Sequence, residues 1–544
     1  MVSSASMDET FDGILLGTGH NALVLQAYLS RAGLRTLSVD RAAKPGGGLS
    51  TMENPRLLGF FHNTHSFFHR ALTAMPWYRD LELERHGARY IEPDLNVAMI
   101  LRDGRVLEWW TDLERTEASF AGISKKDARA LRRWAEEFQP IVADILIPEA
   151  RSPPMEPVRR REILGRSKLG RRLLEVSARS PLEFVLAEFE HDAIRAGLLF
   201  FNGLREVDLR LEGFGHSIPA LLASPRKAQM CAGGSARLAE ALEADIHEHG
   251  GNIRRGVEVR RILTGAGRAT GIELATGERI LATGFVASGL NPQQTFLELL
   301  PPEAVSESAR EKARKFQYNL LAPLFALHVA LAEPPRYKAQ EKHPELEKAF
   351  MVILGLEHFG QFQEIVDAHE RGAIPPTVAW GACPTLFDSS QAPSGKHAAF
   401  LWEKVPYALR GNAATWLKEK EGHGNQLLDC WASFAPNLSS KGGSSAVLDS
   451  FLQTPVDTEE ALPNMRRGDL LVGSFAGGQV GYDRPFPGAG SYRTPLEGLY
   501  LCGGSTHPGG NITGLCGYNA ASVIVADLEL KPWWSPSPLA EALP

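Results

Sequence analysis

With 544 residues, 44% of them hydrophobic and 22% charged, the chain has material for two or more domains with sizeable cores. A net charge of −6 gives no global argument for nucleic acid, and no apolar run reaches the roughly eighteen residues that a spanning helix needs. The five cysteines (Cys231, Cys383, Cys430, Cys502, Cys516) form no C-x-x-C pair, which argues against a metal site or a redox-active disulfide and for reduced thiols in a cytoplasmic setting. The opening MVSSASMDET has neither the basic start nor the apolar centre of a secretory signal.

Phe11 to Leu16 is an apolar run long enough for one buried strand. Gly17, Gly19 and Ala22 then fall on the G-x-G-x-x-G/A positions at a strand-to-helix turn. The first glycine allows a tight turn, the second lets backbone approach a pyrophosphate, and the alanine lets helix and strand pack closely. The helix that opens here aims its free N–H groups at the phosphates. Gly33 ends it, Leu34 to Val39 reads as the second strand, and Asp40 stands at the roughly 20-residue spacing from which a carboxylate reaches a ribose hydroxyl. An acid at that place disfavours a 2′-phosphate, so the ligand is FAD or NAD.

The glycines at 46, 47 and 48 follow as a loop where backbone can approach a ligand. In FFHNTHSFFH, His62, His65 and His69 have helix-compatible spacing without an acidic second shell, so no metal is assigned. Val97 to Leu101 and Arg105 to Trp110 read as two strands joined at Asp103-Gly104, and Ala128 to Ile145 as a helix. Residues 151–179 hold nine Lys or Arg against three Glu, a net of +6, interleaved with leucines. Such a stretch suits either a solvated helix face or peripheral contact with an anionic membrane. Leu182 to Leu204 is strongly apolar, yet its charges rule out a simple spanning segment.

At Gly233 a helix begins again, followed by a turn at Gly250-Gly251 and a strand through Val257 and Val259. Ile272 to Leu274 and Arg279 to Ala282 read as a hairpin turning at Gly277. Gly284 to Ser288 reads as a small strand over whose end a ligand can pass. Strands are expected at Leu324 to Leu331, Met351 to Leu356, Thr377 to Trp380 and Ala398 to Lys404. Leu499 to Cys502 is a further strand, and the glycine-rich 503–514 leads into a helix beginning near Thr513 or Gly514. The Pro-rich tail after Leu530 reads as peripheral, with Trp533 and Trp534 as docking residues.

On GTGHNALVLQAYLSRAGLRTLSVDR, CAGGSARLAEAL and GLYLCGGSTHPGGNITG, the chain resembles the phytoene desaturase-like flavoproteins over roughly residues 10 to 528. It is most similar to the branch of O-type β-carotene ketolases and pyridine nucleotide-disulphide oxidoreductase domain-containing proteins. Asp40 stands where that family more often has Glu.

The resemblance implies an α/β fold, a Rossmann-like FAD-binding domain with an inserted α+β substrate domain. The cofactor domain comprises 1–90, 231–314 and 456–528, the substrate domain 91–230 and 315–455, with a tail at 529–544. It implies non-covalent FAD held by Gly17, Gly19, His20, Asn21, Ala22, Asp40, Arg41, Gly47, Gly48, Leu49, Val259, Gly503, Gly504, Asn511, Ile512 and Thr513. It further implies hydride removal from a lipophilic substrate, isoprenoid in many members, with oxygen or a quinone as acceptor. His507 is the most chemical side chain of the C-terminal loop and the candidate catalytic group; the alternative is a backbone hydrogen bond beside Pro508. A flavin amine or amino-acid oxidase and a flavin-binding scaffold without turnover are the competing readings.

Overall fold

The computed structural model describes residues 9–202, 208–224, 228–439 and 445–537. The amino-terminal eight residues, positions 203 and 204 of the apolar stretch and the end of the tail lie outside the described residues.

Two seven-stranded sheets divide the chain between them. In the first, Glu9–Leu16 lies between Thr36–Asp40 and Arg279–Ser288, parallel to both. Asn252–Arg255 continues the sheet beyond Thr36–Asp40. The hairpin expected around Gly277 forms, but its second arm runs unbroken from Arg279 to Ser288 rather than stopping before Gly284. Its outer edge is shared. Arg268–Leu274 pairs antiparallel with the first half, and Leu499–Leu501 pairs parallel with the second, Val286 opposite Leu499. Val259–Gly265 completes that side against Arg268–Leu274.

The central strands are apolar on both faces because both are covered, as parallel sheets require. Helix His20–Arg31 packs on both Ala236–Glu248 and Leu515–Asp527, and the three bury Leu23, Leu25, Leu242 and Ile524 completely. The crossing is close because position 517 is glycine: a Cβ there would lie 1.9 Å from the Asn21 carbonyl oxygen. The tail is not peripheral. Trp533 stacks on Tyr28 at 5.2 Å and donates its indole N–H to the Tyr28 carbonyl, while Trp534 is buried edge-on to the same ring.

The second sheet runs in the order Val447–Gln453, Leu324–Leu331, His397–Lys404, Ala379–Ala382, Met351–Leu354, Leu95–Ile100, Val106–Trp110. All pairs are antiparallel except Met351–Leu354 with Leu95–Ile100. Strands from two distant stretches of sequence thus share one sheet. The expected helix at 128–145 is Lys125–Ile141, capped by Ser124 and carried on through a π turn at Val142–Leu146. The apolar stretch from 182 is broken into Pro181–Glu188 and Asp192–Asn202.

The basic segment forms Pro157–Arg166 and Lys168–Ser177. Three of its arginines meet carboxylates from other parts of the fold: Arg160 with Glu149 at 2.6 Å, Arg172 with Glu137 at 2.6 Å and Arg179 with Glu188 at 3.3 Å. Among the described residues, no helix is long and apolar enough to cross a membrane.

Burial holds four enclosed imidazoles neutral: His62 is pushed down to about 4, His69 to about 3 and His369 to about 4, with His328 well below its ordinary value. These folded-state values lie beneath the ordinary 6.5, so between pH 6.5 and about 4 the unfolded chain binds protons that the fold does not. Stability is therefore full above about pH 6.5 and falls as the pH drops, by about 2 kcal/mol per such ring at pH 5. Calorimetric unfolding should show a steep loss of midpoint temperature between pH 7 and pH 5; a flat profile across that range would contradict this assignment.

Candidate functional site: a cavity between the two sheets

A cavity of about 820 Å³ opens at the carboxyl ends of the central parallel strands and reaches the second sheet. That is where open α/β sheets bind ligands. Its first wall is the turn after Glu9–Leu16. Gly19 is the N-cap of helix His20–Arg31 and supplies no side-chain cap, so the first-turn N–H groups remain available to an anion. A Cβ at Gly19 would meet nothing within 4 Å, which leaves the backbone bare to the cavity.

Asp40 ends the second strand and fixes this turn. Its Oδ2 accepts from the Thr18 N–H and hydroxyl, both at 2.7 Å, and Oδ1 accepts from Ala42 N–H at 2.9 Å. Gly46 N–H donates to the Thr18 carbonyl and brings Gly47 and Gly48 to the same wall.

The C-terminal loop forms the facing wall and is tied to the first motif across the whole sequence. His20 donates from Nε2 to the Asn511 carbonyl at 3.0 Å, its ring kept neutral by burial at about 4. Trp77 donates its indole N–H to the Thr513 carbonyl at 2.7 Å. Helix Leu515–Asp527 starts from Gly514, whose φ of +65° is one that L side chains rarely adopt. Behind this loop the buried guanidinium of Arg484 donates to five carbonyls, those of Gly473, Ser474, Gln479, Gly504 and Thr506.

The residues fit a dinucleotide. Free helix-terminal amides suit a pyrophosphate, a carboxylate at a strand end suits ribose hydroxyls, and bare glycine backbone allows close approach. Asn21, in the cavity wall, also has a buried Oδ1 without a donor.

Of the sequence-derived residues, Gly17, Gly19, His20, Asn21, Ala22, Asp40, Arg41, Gly47, Gly48, Val259, Gly503, Gly504, Asn511, Ile512 and Thr513 line this cavity. Two do not. Leu49 is buried in the apolar core, its N–H on the Gly46 carbonyl. His507 lies outside the wall: Nε2 donates to the Glu149 carbonyl at 2.9 Å, and burial lowers the ring to about 4. Its position corrects the catalytic expectation in favour of the backbone hydrogen bond.

Sequence reasoning missed the stretch Leu462–Arg466, Leu470–Val472 and the Gly289-Leu290 pair, all in the wall. Only the last had a signal, the small residues ending the strand before Gly289. At the far end the second sheet contributes Val97, Trp109, Met351, Trp380, Phe400 and Trp402, and its covering helices Leu131 and Leu222.

The comparisons with known proteins agree with this geometry. Residues 61–440 match the family model described as flavin containing amine oxidoreductase. The chain is 31% identical to a limonene dehydrogenase polypeptide of Castellaniella defragrans, across 96% of each chain. It is 24% identical to a lycopene-forming phytoene desaturase of a Paracoccus species, across 95% of this chain and 97% of that one. Among solved structures, a triple mutant of putrescine oxidase shares the fold with a TM-score of 0.61 at 12% identity, covering 95% of this chain and 99% of the other. A Rossmann-like cofactor domain, a glycine-lined dinucleotide cradle and these matches make one case: the chain belongs to the flavin containing amine oxidoreductase family and is a phytoene desaturase-like, flavin-dependent oxidoreductase.

Proposed function

We propose that the flavin is FAD and that the protein dehydrogenates or desaturates a lipophilic, isoprenoid-class substrate, with oxygen or a quinone as the final acceptor. The far wall of the cavity carries this reading. Every residue that the second sheet and its covering helices contribute there is uncharged, and most are aromatic or aliphatic. Burial of such surface rewards a substrate by about 25 cal/mol per Å², without directional demands. Relatives named for limonene and phytoene support the same substrate class. FAD is supported by the adenosine half of the cradle, where Asp40, Val257 and Val259 stand together in the wall.

The flavin supplies two-electron oxidation chemistry, and the protein supplies binding, orientation and exclusion of water. Helix Leu515–Asp527 starts directly after the wall residues Asn511, Ile512 and Thr513, and the positive end of its dipole favours negative charge there. The amine oxidase reading needs an aromatic cage and a site for an unprotonated amine; the far wall supplies aromatic rings, and the relatives named for limonene and phytoene favour the isoprenoid reading over it. A scaffold without turnover would bind flavin that no substrate class reduces.

Two measurements test this. Asp40→Ala removes charge-assisted hydrogen bonds worth about 1.5–3 kcal/mol each. FAD titration of the apoprotein should show affinity weakened by about one to two orders of magnitude. Unchanged affinity would remove Asp40 from the cofactor site. In anaerobic solution, isoprenoids from a panel that includes amines and saturated acids should bleach the flavin, and NADH or NADPH should not. Rapid stoichiometric bleaching by a nicotinamide would point instead to a reductase or monooxygenase.

A further inference from the structure

A row of buried polar atoms without hydrogen-bond partners leads away from the cavity, and it belongs to no part of the cofactor cradle. His65 lines the cavity; its Nδ1 is 2.9 Å from the Thr64 hydroxyl, and its Nε2 is buried without a partner. His328 is completely buried in strand Leu324–Leu331, and neither of its ring nitrogens makes a well-formed hydrogen bond. Both His65 and His62 stand close enough to lower the affinity of His328 for a proton, and a side-chain hydrogen-bonding contact with Gln453 raises it. The rings of His62 and His328 lie 5.5 Å apart, and His62 Nε2 also has no partner.

Next comes the edge strand Val447–Gln453. Its register sets Phe451 opposite His328 and Asp449 opposite Ala330, so Asp449, Phe451 and Gln453 share the face that carries His328. Phe451 stacks on His328 at 4.7 Å, Gln453 stands in hydrogen-bonding contact with the same ring, and Asp449 Oδ2 is again buried without a donor. The other oxygen of Asp449 meets Arg56 at 3.0 Å, and the Arg56 side chain is 59% exposed.

A buried polar atom left unpaired costs about 1–3 kcal/mol, so a run of them on His65, His62, His328 and Asp449 is expensive for packing alone. Such groups are usually bridged by internal water. Imidazole is suited to relaying a proton, because it can take one at one nitrogen and release one from the other.

We propose that His65, His328 and His62, bridged by buried water, form a proton path between the cavity and Asp449 at the protein surface. Removing two hydrogens from a substrate, or reducing the bound flavin, moves protons as well as electrons, and the far wall that the second sheet supplies offers no titratable group to carry them. Along this path each proton that enters at one end is matched by one that leaves at the other, and no residue is oxidised or reduced. His65 is the inner terminus, His328 and His62 are relay residues, and Asp449 exchanges with solvent beside Arg56. The path goes beyond the proposed substrate class and is independent of it; it rests only on a flavin in the cavity.

The test therefore uses no substrate. The flavin-loaded protein is reduced anaerobically with dithionite in a stopped-flow instrument, in H₂O and in D₂O, for wild type, His328→Phe, His62→Phe and Asp449→Asn. Phenylalanine keeps the ring packing on Phe451. The expected result is reduction slowed at least about ten-fold in the two histidine variants, an enlarged solvent isotope effect, and recovery on adding free imidazole, a general acid–base that stands in for the missing ring. Asp449→Asn should be slowed in the same sense. Flavin content, read from the visible spectrum, should stay at the wild-type level. Rates and isotope effects within two-fold of wild type in His62→Phe and Asp449→Asn would overturn the path. So would slowing that imidazole leaves untouched, because that is the mark of a packing defect. Should His328→Phe lose its flavin, the other two variants decide. Failure of the isoprenoid panel to bleach the flavin would leave this result standing, so the two proposals fall separately.

Discussion

Five backbone carbonyls from two loops converge on the guanidinium of Arg484, which is only 1% exposed. A charge so enclosed is tolerable only when its planar fork of donors is met by oxygens. Here they come from residues 473–479 on one side and from Gly504 and Thr506 on the other. Asp469, equally buried, stands near enough to favour the arrangement. It receives the N–H groups of Asn319, Leu471 and Gly473, while its own carboxyl is raised by burial against the pull of Arg484. Two segments built from single turns and loop are thereby given one shape. The cavity wall at Leu471, Val472, Gly503 and Gly504 takes its form from this cluster. Breaking a buried charge from its partners commonly costs about 3–5 kcal/mol, and here the cost would fall on the cofactor wall rather than on a distant core.

How much of this could be read from sequence follows from the range of each interaction. The first motif was legible because strand, glycine turn, helix, second strand and acid are consecutive, and each leaves a local signature. Leu324–Leu331 was legible for the same reason: seven apolar residues interrupted only by His328, all eight buried. The parallel pairing of Met351–Leu354 with Leu95–Ile100 has no such signature, because it joins residues some 250 apart. The segment 462–494 was opaque as well. It is built from single turns, with Arg467 and Val472 at positive φ although neither is glycine, so no period of 2 or 3.6 marks it. Its order comes from Arg484, whose role depends on carbonyls that sequence does not display.

His507 shows the same limit within the candidate site. It sits in the right loop, and its chemistry invited a catalytic role. What decides the matter is a carbonyl 358 residues earlier, that of Glu149, which takes the ring out of the cavity wall. The histidines at 62, 65 and 69 were read as spaced for a helix and lacking the acidic second shell of a metal site. Their significance, like that of the basic helices whose arginines find Glu137, Glu149 and Glu188, appears only when a distant strand or helix is laid against them.

The shared edge of strand Arg279–Ser288 also sets a timetable for biosynthesis. The half of that edge next to the cofactor is closed by Leu499–Leu501, and the cradle's second wall follows it in the chain. On a ribosome, the first glycine turn emerges early and then waits while some 490 residues are made, until Asn511 can take the hydrogen bond of His20. The second sheet, complete by Gln453, can fold in that interval. The two walls of the cradle therefore face each other only after residues 499–514 have been made. A chain that stops before its last strand leaves the ribosome with one wall of this cavity missing and the cofactor half of the Arg279–Ser288 edge unpaired.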